Sequence, residues 1–293
     1  MRISFHHQYD TYLGDLGRAQ EAYIGAQRQV SSGRRINSIG DDPVGTQSAI
    51  SMRSLRSTLA QFGSNIGSAD VSLKSSEASL TEMQTLVRRA HELASQASNT
   101  STSQEARNGM ITEIAEVQKR ILGLSNTQLP NGTYIFGGQN NGSAPFTAVG
   151  SVLTYNGDAN NVLVEIGPNE QISATLPAEK MVKDLWARLE SLKSNLQSGN
   201  VSALGNIDMD ELKKSEADIL LARGTIGGKL KTLEETRNTL TRRTDELTEQ
   251  ISNVEDVDMS EAIMNYKLAE TAYQAAMQSV SMSSQLSLMD FLR

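Results

Sequence analysis

The chain has 293 residues, of which 38% are hydrophobic but only 4% aromatic, with a single Trp. That length allows about two domains, and the scarcity of large rings suits narrow helix–helix seams better than a thick globular core. A net charge of −7 leaves no basic stripe to displace counterions from nucleic acid, and the absence of Cys removes disulfides, thiolate nucleophiles and Cys metal sites.

Residues 1–10 lack the apolar run of a cleaved signal peptide, and no stretch approaches a membrane span of roughly 18 apolar residues. The spacing then predicts a helix over 9–30, with Tyr9, Leu13, Leu16, Gln20, Tyr23, Gln27 and Val30 recurring at four and three residues. Gly33 supplies a left-handed stop. Asp42 followed by Pro43 is a helix start, because Pro lacks only an N–H that has no partner there. The next seam is the longest: Leu55, Leu59, Phe62, Ile66, Ala69, Leu73, Ser76, Leu80, Met83, Val87, Ala90, Ala94 and Ala97. It predicts a helix about 60 Å long. Thr102 with Glu105 reads as a capping box opening a third helix, whose seam is Met110, Ile114, Val117, Ile121 and Leu124.

At Pro130-Asn131-Gly132 the text changes. Four short β-type runs follow at 134–136, 152–155, 162–166 and 172–175, punctuated by Asn-Gly and Gly-Gly steps. Helical spacing returns at 181–196 through Val182, Leu185, Trp186, Leu189, Leu192 and Leu196. After Gly199 comes a helical stretch at 212–221, then a second long seam through Leu230, Leu233, Arg237, Leu240, Thr244, Leu247, Ile251 and Val254. Asp258 with Glu261 marks a break near 257 and a last helix, whose seam of Ala262, Tyr266, Ala269, Tyr273, Ala276 and Val280 is small and aromatic.

The fold class expected is mainly α: a long helical coiled-coil rod formed by the N- and C-terminal segments, with a small β-rich inserted domain. The organisation is nested. Residues 1–40 and 257–293 form a terminal coiled-coil domain, 41–130 and 179–256 a helical domain, and 131–178 an exposed β-rich insert. Ordering a helix costs about 1–2 kcal/mol per residue, whereas a buried Leu or Val returns about 1.5–3 kcal/mol and Ala far less. The terminal pair is therefore thin, and the expectation is that Leu13, Leu16, Tyr23, Val30, Ala262, Tyr266, Ala269, Tyr273, Ala276, Val280, Leu286 and Leu288 pack between subunits.

Catalytic and ligand-binding constellations are missing. His6-His7 and His91 do not converge on a metal, and Asp41-Asp42 reads as helix capping rather than an acid–base pair. The run 224–229 fails the phosphate-loop pattern, and Arg34-Arg35 reads as a solvated loop pair. No enzyme activity, cofactor or metal is expected.

The stretch Ser31-Ser32-Gly33-Arg34-Arg35-Ile36-Asn37-Ser38-Ile39-Gly40-Asp41-Asp42-Pro43 closely resembles the signature of the bacterial flagellin superfamily. Its matching positions here are Ser32, Gly33, Arg35, Ile36, Asn37, Asp41, Asp42 and Pro43. A second match lies at 252–259. Within the family, Asn131-Gly132-Thr133-Tyr134-Ile135-Phe136-Gly137-Gly138 and the ending 285–292 are similar to the hook–filament junction branch, with a short flagellin as the alternative. The resemblance implies a structural subunit of the extracellular bacterial flagellum, exported without a cleaved signal peptide through the flagellar type III apparatus. It also implies a ring-layer homo-oligomer, contacts to the first hook-associated protein and to flagellin, and a cytosolic export chaperone on the C-terminal helix. Neither nucleic acid nor membrane is expected as a partner.

Overall fold

In the structure, a computed structural model, the backbone is described for residues 2–99 and 102–291 and side chains for 10–99 and 102–282. The helices are α1 (Arg2–Ser32), α2 (Pro43–Ala97), α3 (Gln104–Ser125), α4 (Glu179–Ser198), the single turn α5 (Val201–Ala203), α6 (Met209–Glu255) and α7 (Met259–Phe291). Four short strands lie between α3 and α4: β1 (Phe146–Val149), β2 (Val152–Tyr155), β3 (Leu163–Gly167) and β4 (Glu170–Ser173). The chain is thus mainly α with a small β region. It divides into two compact units, Leu59–Thr241 and the pair of segments Met1–Thr58 and Arg242–Arg293.

The Leu59–Thr241 unit is an antiparallel set of four helices, each tied to its neighbours in a closed circuit. Arg89 of α2 pairs with Glu113 of α3 at 2.6 Å, and Gln118 of α3 donates to Glu190 of α4 at 3.1 Å. Arg188 of α4 pairs with Glu211 of α6 at 3.0 Å, and Arg223 of α6 returns to Glu77 of α2 at 2.9 Å. These partly exposed pairs set register more than stability. The energy lies inside the circuit. Ile66, Leu73, Leu80 and Met83 of α2, Ile114 and Ile121 of α3, Leu185 and Leu189 of α4, and Ile219 and Ile226 of α6 are fully buried. Each burial stabilises by about 1.5–3 kcal/mol. Such up-and-down packing is the geometry that heptad seams favour.

Sequence spacing located these helices, with four corrections. The cap of α3 is Ser103, whose hydroxyl accepts from Ala106 N–H; Thr102 Oγ1 instead donates back to Gln96 O at 3.1 Å. The stretches 212–221 and 230–254 belong to one helix, which runs through Gly224, Gly227 and Gly228 without a break. A π-helical segment, Leu204–Asp208, precedes it. There Asp208 is buried, and its carboxylate accepts from Asn195 Nδ2 at 2.8 Å and Ser191 Oγ at 3.2 Å.

The fourth correction concerns the β region. The run 134–136 is not a strand; apart from a bridge between Gln128 and Tyr134 it is a buried loop. Phe146–Val149, which the spacing did not mark, is a strand instead. The pairs β1–β2 and β3–β4 are two separate antiparallel hairpins. Asn126, just past α3, acts as a piece of backbone for the first: its Nδ2 donates to Phe146 O at 2.8 Å while its Oδ1 accepts from Phe146 N–H at 2.9 Å. Trp186 of α4 holds the other end through Nε1–H to Ser151 O at 3.0 Å. The Asn131–Gly138 element turns inward, burying Ile135 and Phe136. Gly138 sits at φ +65°, and a Cβ there would lie 1.9 Å from Asp158 O, so only Gly fits.

Candidate assembly surface

The Met1–Thr58 and Arg242–Arg293 unit is built on α1 packed against α7. On α1 the seam is formed by half-buried Tyr12, Leu16, Ala19, Tyr23, Ala26 and Val30; on α7 it is formed by half-buried Tyr266, Ala269, Tyr273, Ala276 and Val280, with Ala262 fully buried. Both sets recur at four and three residues, the spacing of a two-helix seam. The α7 positions are those expected from sequence. The α1 seam keeps Leu16, Tyr23 and Val30 but is turned by about 50° from the expected one, so that Ala19 and Ala26 replace Gln20 and Gln27, and Leu13 moves out to 43% exposure. Small residues let the backbones approach, and burying an amide side chain without partners is costly.

Aromatic rings lock the seam. The Tyr23 ring stacks on Tyr273 at 5.6 Å and meets Tyr266 at 5.5 Å, with the Tyr23 and Tyr266 hydroxyls 3.3 Å apart. Offset ring pairs of this kind add about 0.5–1.5 kcal/mol each. The hydrogen bond to Tyr266 pushes the Tyr23 phenol above its ordinary pKa. Lys267 lies 5.6 Å from the Tyr266 ring centre and bonds Glu270 at 2.8 Å, which raises its pKa.

Thus Leu16, Tyr23, Val30, Ala262, Tyr266, Ala269, Tyr273, Ala276 and Val280 are brought together within one chain. Leu13 stands outside this seam, and the side chains of Leu286 and Leu288 lie outside the described residues. Sequence reasoning missed a second stripe. Met264, Leu268, Thr271, Ala275, Gln278 and Met282 are all exposed and recur at four and three residues on the side of α7 away from α1. Leu268 is 71% exposed and Met264 65%. The signal was present, since α7 carries Met264, Leu268 and Met282 opposite its seam, while the matching outer face of α1 carries Arg18, Glu21 and Arg28. A second missed feature is a shallow apolar groove on α6, lined by Ala217, Leu220, Leu221, Gly224 and Thr225.

The signature residues form a latch between the α1–α2 connector and the α6–α7 break. Gly33 closes α1 at φ +69°, and its carbonyl accepts from Val257 N–H at 3.1 Å; Ser32 Oγ accepts from Arg34 N–H. Arg35 N–H donates to Glu255 O at 2.6 Å, and its guanidinium donates to Val254 O at 2.8 Å. The last carbonyls of a helix have no partner within it and carry partial negative charge, so a cation there is favoured. Arg35 is therefore an intrachain clasp, while half of its side chain stays in solvent as expected of a loop residue. Ile36, next in sequence, is buried. Asn37 Nδ2 donates to Arg34 O at 2.9 Å, and Asp41 Oδ2 accepts the Asn37 and Ser38 N–H groups at 2.9 and 2.7 Å.

Asp42 caps α2 by accepting Gly45 N–H at 2.8 Å, just ahead of Pro43 at the first helical position, and it pairs with Arg35 at 3.3 Å. Backbone N–H donation holds both carboxyls below their usual range, from Asn37 at Asp41 and from Gly45 at Asp42. A buried Glu255 accepts from Arg53 of α2 and completes the latch. Asp258 then caps α7 through Ser260 N–H at 2.8 Å.

Among the described residues no group of three or more His, Asp or Glu could hold a metal, and no helix is long and apolar enough to cross a membrane. The arrangement supplies packing surfaces rather than convergent reactive groups.

The description "bacterial flagellin N-terminal helical region" matches residues 7–141, and "bacterial flagellin C-terminal helical region" matches 209–292. The flagellar hook-associated protein 3 of Escherichia coli (strain K12) is 26% identical over an alignment of 314 positions, covering 98% of each chain. A flagellin of Bacillus subtilis (strain 168) is 25% identical over 315 positions, covering 97% of each. Among solved structures, the crystal structure of Bacillus cereus FlgL is similar with a TM-score of 0.61 at 23% identity, over 69% of this chain and 99% of that one. With both of its terminal regions matched, the chain belongs to the bacterial flagellin family.

Proposed function

We propose that the chain is a structural subunit of the bacterial flagellum at the hook–filament junction, joined to its neighbours through its terminal helices and without a catalytic role. The observation that carries the reading is the second stripe of α7, which is exposed among the described residues. A helix with apolar residues on opposite sides needs a partner on each, and within the chain α1 covers one side. The stripe Met264, Leu268, Ala275 and Met282 is read as the face that docks on other subunits, and Leu13, exposed on α1, and the C-terminal Leu286 and Leu288 are assigned to assembly as well.

In this reading residues 1–40 and 257–293 are the assembly domain, 41–130 and 179–256 the helical body, and 131–178 the outward insert. The neighbours are copies of the same chain in a ring layer, the first hook-associated protein on one side and flagellin on the other. Export proceeds without a cleaved leader through the flagellar type III apparatus, with a cytosolic chaperone covering the C-terminal helix beforehand. A cover for α7 answers the same physical need as assembly, since the stripe is an aggregation hazard while exposed.

Leu268→Glu tests the docking face. The residue is largely exposed, so monomer stability should change by about 0.5 kcal/mol or less. A charge buried between subunits without a partner is strongly destabilising, so cells carrying the variant should shed filaments and lose motility. Normal filament retention would overturn the docking assignment. The similarity to a full-length flagellin keeps one other reading in view, a filament subunit. Growth of long filaments by the purified chain alone would favour it over a junction layer.

A further inference from the structure

The chain contains four Asn-Gly steps, at 108–109, 131–132, 141–142 and 156–157. In such a step the backbone nitrogen of Gly, unhindered by a side chain, can approach the carbonyl carbon of the preceding Asn side chain. In a folded protein this needs an Asn side chain free to rotate and a Gly N–H free of other bonds.

The structure separates the four steps. Asn108 lies in α3, where Gly109 N–H belongs to the helical ladder and Asn108 Oδ1 accepts from Gln104 at 3.2 Å. Asn131 Oδ1 accepts from both the N–H and the hydroxyl of Thr133, at 3.1 and 2.7 Å, while Gly132 N–H donates to Leu129 O at 2.9 Å. Asn156 Nδ2 donates to Thr147 Oγ1 at 3.1 Å, and half-buried Gly157 is backed by the Tyr155 ring. Asn141 differs. Neither its side chain nor the Gly142 N–H is hydrogen-bonded among the described residues, and Gly142 is exposed with open space around it.

We propose that Asn141-Gly142 is a self-modification site that deamidates spontaneously in the folded chain, with water as the co-reactant. Gly142 N gives up its proton and bonds to Asn141 Cγ. The Cγ–Nδ2 bond breaks and ammonia leaves, forming a succinimide. Water opens either ring carbonyl, giving aspartate or an isomer in which the main chain runs through the side-chain carbon. No electrons change hands, and the chain gains one negative charge.

The isomer has a structural effect as well. Asn141 O accepts Tyr134 N–H at 2.9 Å, and that bond holds the segment leading into buried Ile135 and Phe136. A methylene inserted into the main chain at 141 displaces this carbonyl and loosens the loop. The chemistry is independent of where the chain assembles.

The test is peptide mapping by mass spectrometry of the full-length chain, folded and in denaturant, incubated at mildly alkaline pH until the denatured sample has converted. In the folded sample Asn141 should convert about tenfold faster than Asn108, Asn131 or Asn156, the factor that about one extra hydrogen bond to be broken places on a rate. In denaturant the four rates should converge. Gly142→Ala should slow conversion at 141 and leave the other steps unchanged. Faster conversion at another step in the folded chain, or an intact Asn141 after the denatured control has reacted, would overturn the proposal.

Discussion

Two helices of similar ambition meet different fates in this molecule. Between Leu59 and Ala97, α2 buries a large side chain or a small one at almost every seam position, because three other helices surround it. Between Tyr266 and Val280, α7 leaves its seam half-exposed, because among the described residues α1 alone covers it. The repeats are the same; the number of walls and the size of the side chains are not. A four-helix unit returns enough burial energy to be secure alone, whereas a two-helix seam of Ala and Tyr leaves binding capacity unspent.

Matched truncations test that contrast. Leu73→Ala, at a fully buried site, should lower stability by about 2–5 kcal/mol in urea unfolding. Tyr273→Ala, in the thin seam, should cost only about 1–2 kcal/mol. Equal losses would mean that the terminal pair is as well sealed as the four-helix unit. Arg53→Met comes next in size, because it strands the Glu255 carboxylate. Arg53 is itself 39% exposed, so about 1–2 kcal/mol is expected, below the value for a fully buried pair; Glu255→Gln should recover part of it.

The smallest effect is on pH. Asp41 and Asp42 have depressed pKa values when folded, so their stabilisation is complete above the ordinary Asp value of about 3.9 and fades as pH falls through the folded values. The latch should therefore loosen in acid, and Asp41→Asn should flatten that part of the pH–stability curve. An unchanged acid limb would remove Asp41 from the account.

How much of this could be read beforehand depended on residue size. Leu, Ile and Val at fixed spacing identified α2, α3, α4 and α6. In α1 the same weighting misled, because Leu13 outranks Ala19 on any hydrophobicity scale although close backbone approach selects Ala. The run 134–136 looked like a strand, but Gly137 and Gly138 bring the backbone against residues 140–141 and 158, which turns it into a loop. Phe146–Val149 was missed because four residues with Thr and Ala show little periodicity. The signature was recognisable as a string, yet its physics was hidden: Arg35 acts on Val254, more than two hundred residues away, and no local pattern reports such a pair.

The first hairpin has one more implication. Val149 pairs with Val152 across Gly150 and Ser151, and both valines stand largely in solvent, yet the ribbon is held at both ends: Asn126 grips Phe146 at its base, and Trp186 of α4 donates to Ser151 O in its turn. Exposed loop tips accept foreign sequence best where no anchoring bond crosses the insertion point. A short epitope spliced between Gly150 and Ser151 would pull on Trp186 and through it on α4, so this turn, exposed as it is, is a poor place for a label.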